Sequence, residues 1–313
     1  MRTFLVTGGA GFIGSHIAES LVRRGDRVRV LDNLSTGYLS NLEGFRDQVE
    51  FIEGDVTDAP AVARAVQGVD CVFHEAALAS VPASLERPLD SHMACATGVV
   101  VLLDAARRAG VRRVVYAASS AAYGDRPTSS KRETDLPAPL SPYAAAKAAG
   151  ELYCQAFWSS FGLETVALRY FNVFGPRQDP KSQYSAVIPR WITAILSGQQ
   201  PIVYGDGRQS RDFSYVGNVV HANLLAADAP DVEGRIINAA EGHSIDLLRL
   251  LAVLNQLLGT NIKPKMEPPR AGDIHESQAD ITLARQLLGY EPQVSFEDGL
   301  RQSIGYYRSI AKR

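Results

Sequence analysis

The stretch Thr7-Gly8-Gly9-Ala10-Gly11-Phe12-Ile13-Gly14 follows a short apolar run, Phe4-Leu5-Val6, and opens a segment whose apolar residues recur at helical spacing over 12–24. The glycines therefore sit at a strand-to-helix turn. Side chains at Gly8 or Gly11 would keep a diphosphate away from backbone N–H groups, and one at Gly14 would hold the helix off the strand. The positive end of the helix then faces phosphate. A plain structural turn would use the same glycines, so the next strand, 27–31, decides between the two. It ends at Asp32, some 18 residues past Gly14, where a carboxylate accepts hydrogen bonds from an adenosine ribose and repels a 2′-phosphate. Asn33 and Leu34 follow, with no arginine beside the acid, so NAD is favoured over NADP.

With 313 residues the chain suits one large α/β domain, or a large and a small one. Lys plus Arg number 32 against 34 for Asp plus Glu, which leaves no global basic field for nucleic acid or an anionic membrane. Cys71, Cys95 and Cys154 are scattered in apolar surroundings, as in a reducing compartment. The first strand begins at Met1 and no apolar run reaches the length of a membrane span, so the expectation is a soluble cytoplasmic protein.

Strand-like and helix-like runs alternate: 49–53 then 59–66, 71–75 then 88–109, 113–119 then 143–161, and a further strand at 164–170. That alternation predicts a doubly wound parallel sheet of Rossmann-like α/β class, with ligands at the carboxyl ends of its strands. Near residue 175, Pro176, Pro180, Pro189 and Pro201 punctuate shorter elements. We expect a cofactor-binding domain over 1–174 and a smaller, interleaved substrate-facing α/β portion over 175–313.

The strand ends carry the candidate chemistry. Asp55 and Val56 follow the third strand, where they can meet an adenine, although capping by Asp58 is a competing use for this acidic loop. Ala76 and Ala77 leave room for a flat cofactor, and His74 reads as a buried, hydrogen-bonded residue. No pair of histidines stands at metal spacing, so no metal is expected. The fifth strand ends in Ala117-Ala118-Ser119-Ser120, and the next helix begins Pro142-Tyr143-Ala144-Ala145-Ala146-Lys147. Tyr143 and Lys147, four apart, share a helix face, so the ammonium can sit near the phenol. A free tyrosine titrates near pH ~10, so a phenolate base at neutral pH must be favoured by about 4 kcal/mol. The lysine and an oxidised nicotinamide, each positive, can supply that in a partly desolvated site. Ser119 would share a hydrogen bond with the substrate hydroxyl.

Taken together, the glycine turn, Asp32, Asp55, Ser119 and the Tyr143/Lys147 pair resemble the extended short-chain dehydrogenase/reductases. Arg169-Tyr170-Phe171-Asn172-Val173-Phe174-Gly175-Pro176, Ala186-Val187-Ile188-Pro189, Gly205-Asp206-Gly207, Arg211-Asp212-Phe213 and Arg270-Ala271-Gly272-Asp273 narrow the resemblance to nucleotide-sugar 4-epimerases. Leu140-Ser141-Pro142-Tyr143, Gln178-Asp179-Pro180 and Leu287-Leu288-Gly289-Tyr290 are most similar to bacterial UDP-N-acetylglucosamine 4-epimerases that serve surface polysaccharides.

The resemblance implies tightly held NAD lined by Phe12, Ile13, Asn33, Thr36, Gly37 and Tyr170 besides the residues above. It implies a UDP-sugar held at Asn172, with Arg211 and Arg270 on the diphosphate, Asp273 on the uridine ribose, and Ala186, Val187 and Tyr204 at the uracil. An ion pair between Arg270 and Asp273, and core roles for Val187 and Tyr204, are the alternatives. Ser277 stands where a tyrosine would crowd an N-acetyl group, and Ser80, Ser120, Gln178 and Ala186 match positions lining the sugar pocket. Three departures stand out: Cys95 replaces an asparagine that supports the cofactor site, Ala121 replaces a hydroxyl two residues past Ser119, and Ala79 replaces a glycine. A homodimer through the two long helices is implied as well.

The expected activity is reversible 4-epimerisation of a UDP-sugar, UDP-GlcNAc/UDP-GalNAc with UDP-Glc/UDP-Gal as a further pair. Its rivals are epimerases of UDP-glucose or UDP-glucuronate without N-acetyl preference, a nucleotide-sugar dehydratase or dehydrogenase, and a non-catalytic NAD-sensing module. Ser120-Ala121 stands where dehydratases of this fold place an Asp-Glu pair, which argues against dehydration.

Overall fold

The computed structural model describes every residue except 127, 129, 181–185, 270–275, 312 and 313, and not the side chain of 311. The expected alternation runs through the first 170 residues: β1 (Thr3–Thr7), α1 (Phe12–Arg23), β2 (Arg27–Asp32), β3 (Val49–Glu53), α2 (Ala59–Ala65), β4 (Cys71–His74), α3 (Val81–Glu86), α4 (Pro88–His92), α5 (Gly98–Arg108), β5 (Arg113–Ser119), α6 (Pro142–Phe161) and β6 (Glu164–Tyr170). Shorter elements follow: α7 (Val187–Leu196), β7 (Ile202–Tyr204), β8 (Ser210–Arg211), α8 (Val216–Asp228), β9 (Arg235–Ala239), β10 (Ile245–Asp246), α9 (Leu247–Leu258), β11 (Lys265–Glu267), β12 (Glu276–Ser277), α10 (Thr282–Leu288) and α11 (Phe296–Ala311).

Seven strands form one sheet in the order β3-β2-β1-β4-β5-β6-β9, and every pairing is parallel. The order reverses direction between β1 and β4, so a crevice opens there at the carboxyl ends. Both faces are covered, and the central strands β1, β4 and β5 accordingly read as near-continuous apolar runs, whereas β2 and the edge strand β3 carry interspersed charges. Phe4, Val6 and Val30 pack with Ile17 and Leu21 of α1 and Val219 and Ala222 of α8 on one side. Leu5, Val72 and Tyr116 pack with Val62 of α2, Leu102 of α5 and Cys154 of α6 on the other. The interleaving extends further than a cut near 175 conveys, because α8 and β9 return from the later part of the chain to complete this sheet.

A single helix was expected over 88–109, and the structure differs there. Met93–Thr97 winds as a π-turn between α4 and α5, turning Cys95 and Ala96 inward against Ala146, with Tyr143 packed alongside. The extra residue per turn breaks the 3.6-residue period locally, and such bulges cluster at functional sites. The expectation about membrane spans also needs correction, since Pro88–Arg108 is long and apolar enough to cross a membrane by length and composition. One face of it is packed within the fold, against α2 and α6.

α10 packs on the main core against α8 and β9, and the other late elements surround a separate core of Phe174, Trp191, Val203, Phe213, Leu250, Phe296 and Tyr307. A small sheet, β10-β8-β12, lies there, with β8 and β12 parallel and Ser277 paired in register with Arg211. Asp212, fully buried, accepts N–H bonds from Glu241, Gly242 and Ala279 at 3.0 to 3.2 Å, so one carboxylate ties three segments together beside Arg211. Burial pushes this carboxyl up to about 7, with the three N–H donors acting the other way.

Candidate active site

The glycine turn closes on itself. Gly8 adopts φ +64°, and a Cβ there would lie 2.7 Å from the Ala76 nitrogen, so this glycine lets β1 turn tightly beside the end of β4. At Gly14 a Cβ would overlap the Gly8 carbonyl oxygen, so the contact it preserves is helix against turn rather than helix against strand. A glycine that sequence reasoning passed over, Gly9, lies against Val30 of β2, where a Cβ would come within 2.7 Å. The N-cap of α1 is Gly11, which supplies no side-chain cap, so the first-turn N–H groups at Phe12 and Ile13 are left for a ligand.

Asp32 ends β2, buried, accepting from Ala10 N at 2.9 Å and Leu34 N at 2.8 Å. Burial raises its pKa and the two N–H bonds oppose that. Each oxygen keeps a lone-pair site for a ribose hydroxyl. A Cβ on Gly37 would come within 3.0 Å of both carboxylate oxygens, so a glycine there keeps the acid open. Thr36 and Asn33 are exposed in the same loop. Asn33 donates to Asp55 at 2.6 Å, and Asp55 also takes both the N–H and the hydroxyl of Thr57. Burial works against the charge on Asp55, but these bonds outweigh it and hold the carboxyl below its ordinary range. Capping of α2 falls to Asp58, not Asp55. Val56 is buried, its methyl against Gly98. The acid, the uncapped helix and the glycine cradle fit a dinucleotide without a 2′-phosphate.

At the centre of the sheet, Ser119 and Tyr170 are register partners on β5 and β6, and Ala76 and Ala77 follow β4 one strand away. His74 is buried with Nδ1 2.7 Å from the Thr7 hydroxyl, as expected, and burial holds its pKa down at about 3. Ser119 accepts from Ala121 N at 3.2 Å, capping the short turn that carries Ser120. Lys147, nearly fully buried, donates to the Ala117 carbonyl at 2.7 Å and lies over the Tyr116 ring. Burial pushes the Tyr143 phenol up, Cys95 and Glu75 push the same way, and hydrogen bonding with Ser119 acts against them. The protein alone therefore opposes the phenolate, and the positive charge it needs must arrive with the bound cofactor.

Glu75 was missed in the sequence. It is the one acid in the strand-end run His74-Glu75-Ala76-Ala77, and its carboxylate accepts the Tyr170 hydroxyl at 2.8 Å. Burial pushes it up to about 7, opposed by Tyr170 and Lys147.

Of the substrate residues, Asn172 has φ +29° and donates to the Asp212 carbonyl at 3.2 Å, a strained backbone of the kind that gathers at ligand sites. Arg211 turns one guanidinium nitrogen onto the Ser210 carbonyl at 2.8 Å. Ser277 is buried. Ala186 is exposed at the start of α7, which has no side-chain cap, while Val187 packs on the apolar core of this portion. Tyr204 is half-buried on β7 and its carbonyl accepts from Gln209. The Ser80 hydroxyl caps α3 by accepting from Ala83 N at 3.1 Å, and Gln178 donates to the Val173 carbonyl at 3.0 Å. Arg270 and Asp273 lie outside the described residues.

A doubly wound sheet, a glycine cradle with an acid at the end of β2, and a Ser–Tyr–Lys group above β5 define a dinucleotide-dependent enzyme fold of the short-chain dehydrogenase/reductase type. Residues 4–240 match the NAD dependent epimerase/dehydratase family, and the chain belongs to it. A UDP-glucose 4-epimerase of Mycolicibacterium smegmatis is 36% identical over 313 residues, covering 99% of both chains. Among solved structures, a UDP-N-acetylglucosamine 4-epimerase from Methanobrevibacter ruminantium in complex with UDP-N-acetylmuramic acid has a TM-score of 0.95 and 41% identity, covering 99% of each chain. The UDP-glucose 4-epimerase of Thermus thermophilus in complex with NAD has a TM-score of 0.89 and 38% identity, covering 98% of this chain and 99% of that one.

Proposed function

We propose that this chain is a NAD-dependent UDP-sugar 4-epimerase, and that its sugar is N-acetylated. The observation that carries the activity is the meeting of Ser119, Tyr143 and Lys147 over the carboxyl ends of the central strands, beside the glycine turn. NAD, when bound, supplies an acceptor for the hydride of C4 and gives it back. Tyr143 takes the proton of the 4-hydroxyl, Ser119 shares that hydrogen bond, and Lys147 holds positive charge at the strand end. Because the hydride returns, there is no net redox. The resulting 4-ketone must turn over before it is reduced on its other face, which asks for a firm grip on the nucleotide and a loose one on the hexose. Arg211 and Asn172 suit the diphosphate, Ala186, Val187 and Tyr204 the uracil, and Ser80, Ser120, Gln178 and Ser277 the sugar.

N-acetyl acceptance rests on the small Ser277, held against Arg211 by the strand pairing. The similar structure that binds UDP-N-acetylmuramic acid supports the same reading. Comparing kcat/KM for UDP-GlcNAc and UDP-Glc decides it: a ratio below one would favour the glucose epimerase.

Homodimerisation is proposed through α3, α4 and α6, where Leu85, Leu89 and Leu152 are more than 60% exposed. The three free cysteines support a cytoplasmic setting. Changing Tyr143 to Phe tests the mechanism: turnover should be abolished with NAD still bound, and full activity would remove Tyr143 from it.

A further inference from the structure

We propose that Glu75 is a charge-balancing residue for the nicotinamide end of the cofactor, biasing bound NAD toward its oxidised, positively charged form. This deepens the epimerase reading and rests on NAD lying across the strand ends.

Glu75 follows β4 directly, and its N–H donates to the Thr7 carbonyl at 3.1 Å. The backbone there lies so near the glycine turn that a Cβ on Gly8 would come within 2.9 Å of the Glu75 carbonyl carbon. From this position the side chain reaches past β5 to β6, where Tyr170 donates to it. Tyr170 in turn accepts from the Asn223 amide of α8 at 2.8 Å, and that amide donates also to the Val219 carbonyl at 2.9 Å. The carboxylate is thus held by a relay anchored in a helix backbone. A carboxylate held in this way at the carboxyl ends of the central strands acts on whatever lies across them.

Its neighbours are Lys147 and Tyr143 from α6 and Tyr170 from β6, with His74 on its own strand kept neutral by burial. The field of Glu75 reaches both Tyr143 and Lys147. In hydride transfer the phenol, the C4 of the sugar and the nicotinamide must be mutually adjacent. A charge that reaches Tyr143 therefore reaches the ring. A carboxylate there stabilises the oxidised ring and does nothing comparable for the neutral, reduced one, so it favours return of the hydride to the sugar over its loss as NADH.

The test equilibrates the protein with mixtures of NAD⁺ and NADH at pH 6, 7 and 8 and reads the bound ratio after denaturation. In the parent the preference for NAD⁺ should strengthen as pH rises and Glu75 loses its proton. In Glu75→Gln, which retains an acceptor for Tyr170, the preference should fall about tenfold at pH 8, the order of one charge interaction across a few ångströms, and lose its pH dependence. A bound ratio in the parent that ignores pH, or an unchanged ratio in Glu75→Gln, overturns this inference and leaves the epimerase reading standing. Failure of the parent to bind either nucleotide overturns both.

Discussion

The ammonium of Lys147 lies 2.7 Å from the carbonyl oxygen of Ala117, at the point where β5 turns toward Ser119. The lysine thus braces the strand that carries the serine and places a buried positive charge at the strand end. Lys147→Met should lower kcat by about 10²-fold or more, because the strand that presents Ser119 loses its brace and the strand end its positive charge. Lys147→Arg should rescue little, since a planar fork cannot replace a compact ammonium at one carbonyl. Steady-state rates between pH 6 and 10 check both.

Gly14 tests the cradle. A Cβ there would overlap the Gly8 carbonyl, so Gly14→Ala must open the turn and should lose most of its NAD. The cost in stability should be about 1–3 kcal/mol. Cofactor content of the purified variant, read after denaturation, gives the first quantity and urea unfolding the second. Gly44→Ala is the control, for a Cβ at that glycine meets nothing within 4 Å.

Arg169 and Glu151 form a paired ion bridge, 2.7 and 2.8 Å, with each side chain 1% exposed. The second terminal nitrogen of Arg169 already lacks a hydrogen-bond partner, so removing the acid strands a whole buried charge. Glu151→Leu should cost about 3–5 kcal/mol, whereas Glu151→Leu with Arg169→Met should recover most of it. Denaturant midpoints at constant m-value would show this.

Two buried histidines weaken the fold as the pH falls. Burial holds His74 at about 3, and it holds His16, whose ring meets the Pro176 carbonyl at 2.9 Å, at about 4. Both folded values lie below the unfolded one near ~6.5, so the unfolded chain binds the extra protons. Their contribution is whole above pH ~6.5 and is lost as pH falls toward 4, by about 1.4 kcal/mol per pH unit for each histidine. Glu75 and Asp212, raised to about 7, hold extra protons in the folded state over the same window and oppose this. The test is therefore a difference between variants: from pH ~6.5 to ~4 the thermal midpoint of His16→Gln should fall less, or rise more, than that of the parent.

The order of strands and helices, the glycine turn, Asp32 and the Ser119, Tyr143 and Lys147 group were legible because each depends on local spacing. Phe4-Leu5-Val6 reads as a doubly buried strand from its neighbours alone. What escaped depends on partners distant in the chain. Glu75 is one acid in an apolar run until Tyr170, 95 residues on, is brought beside it. Gly9 matters only because Val30 lies against it, and the return of β9 to the main sheet is set by its fit beside β6. The π-turn at Cys95 escaped because one inserted residue barely disturbs a long apolar pattern.

Ser277 governs the sugar in this reading. Ser277→Tyr should cut kcat/KM for UDP-GlcNAc at least tenfold, about 1.4 kcal/mol, while sparing UDP-Glc. Parallel assays with the two substrates would reveal the split, and equal losses would point to misfolding of β12 instead.

The most direct measurement follows a deuterium placed at C4 of the UDP-sugar. Return of the same hydride requires that both epimers keep the label at C4, with none in water and no accumulation of NADH. Label appearing in solvent, or a product short of one water, would contradict the epimerase mechanism.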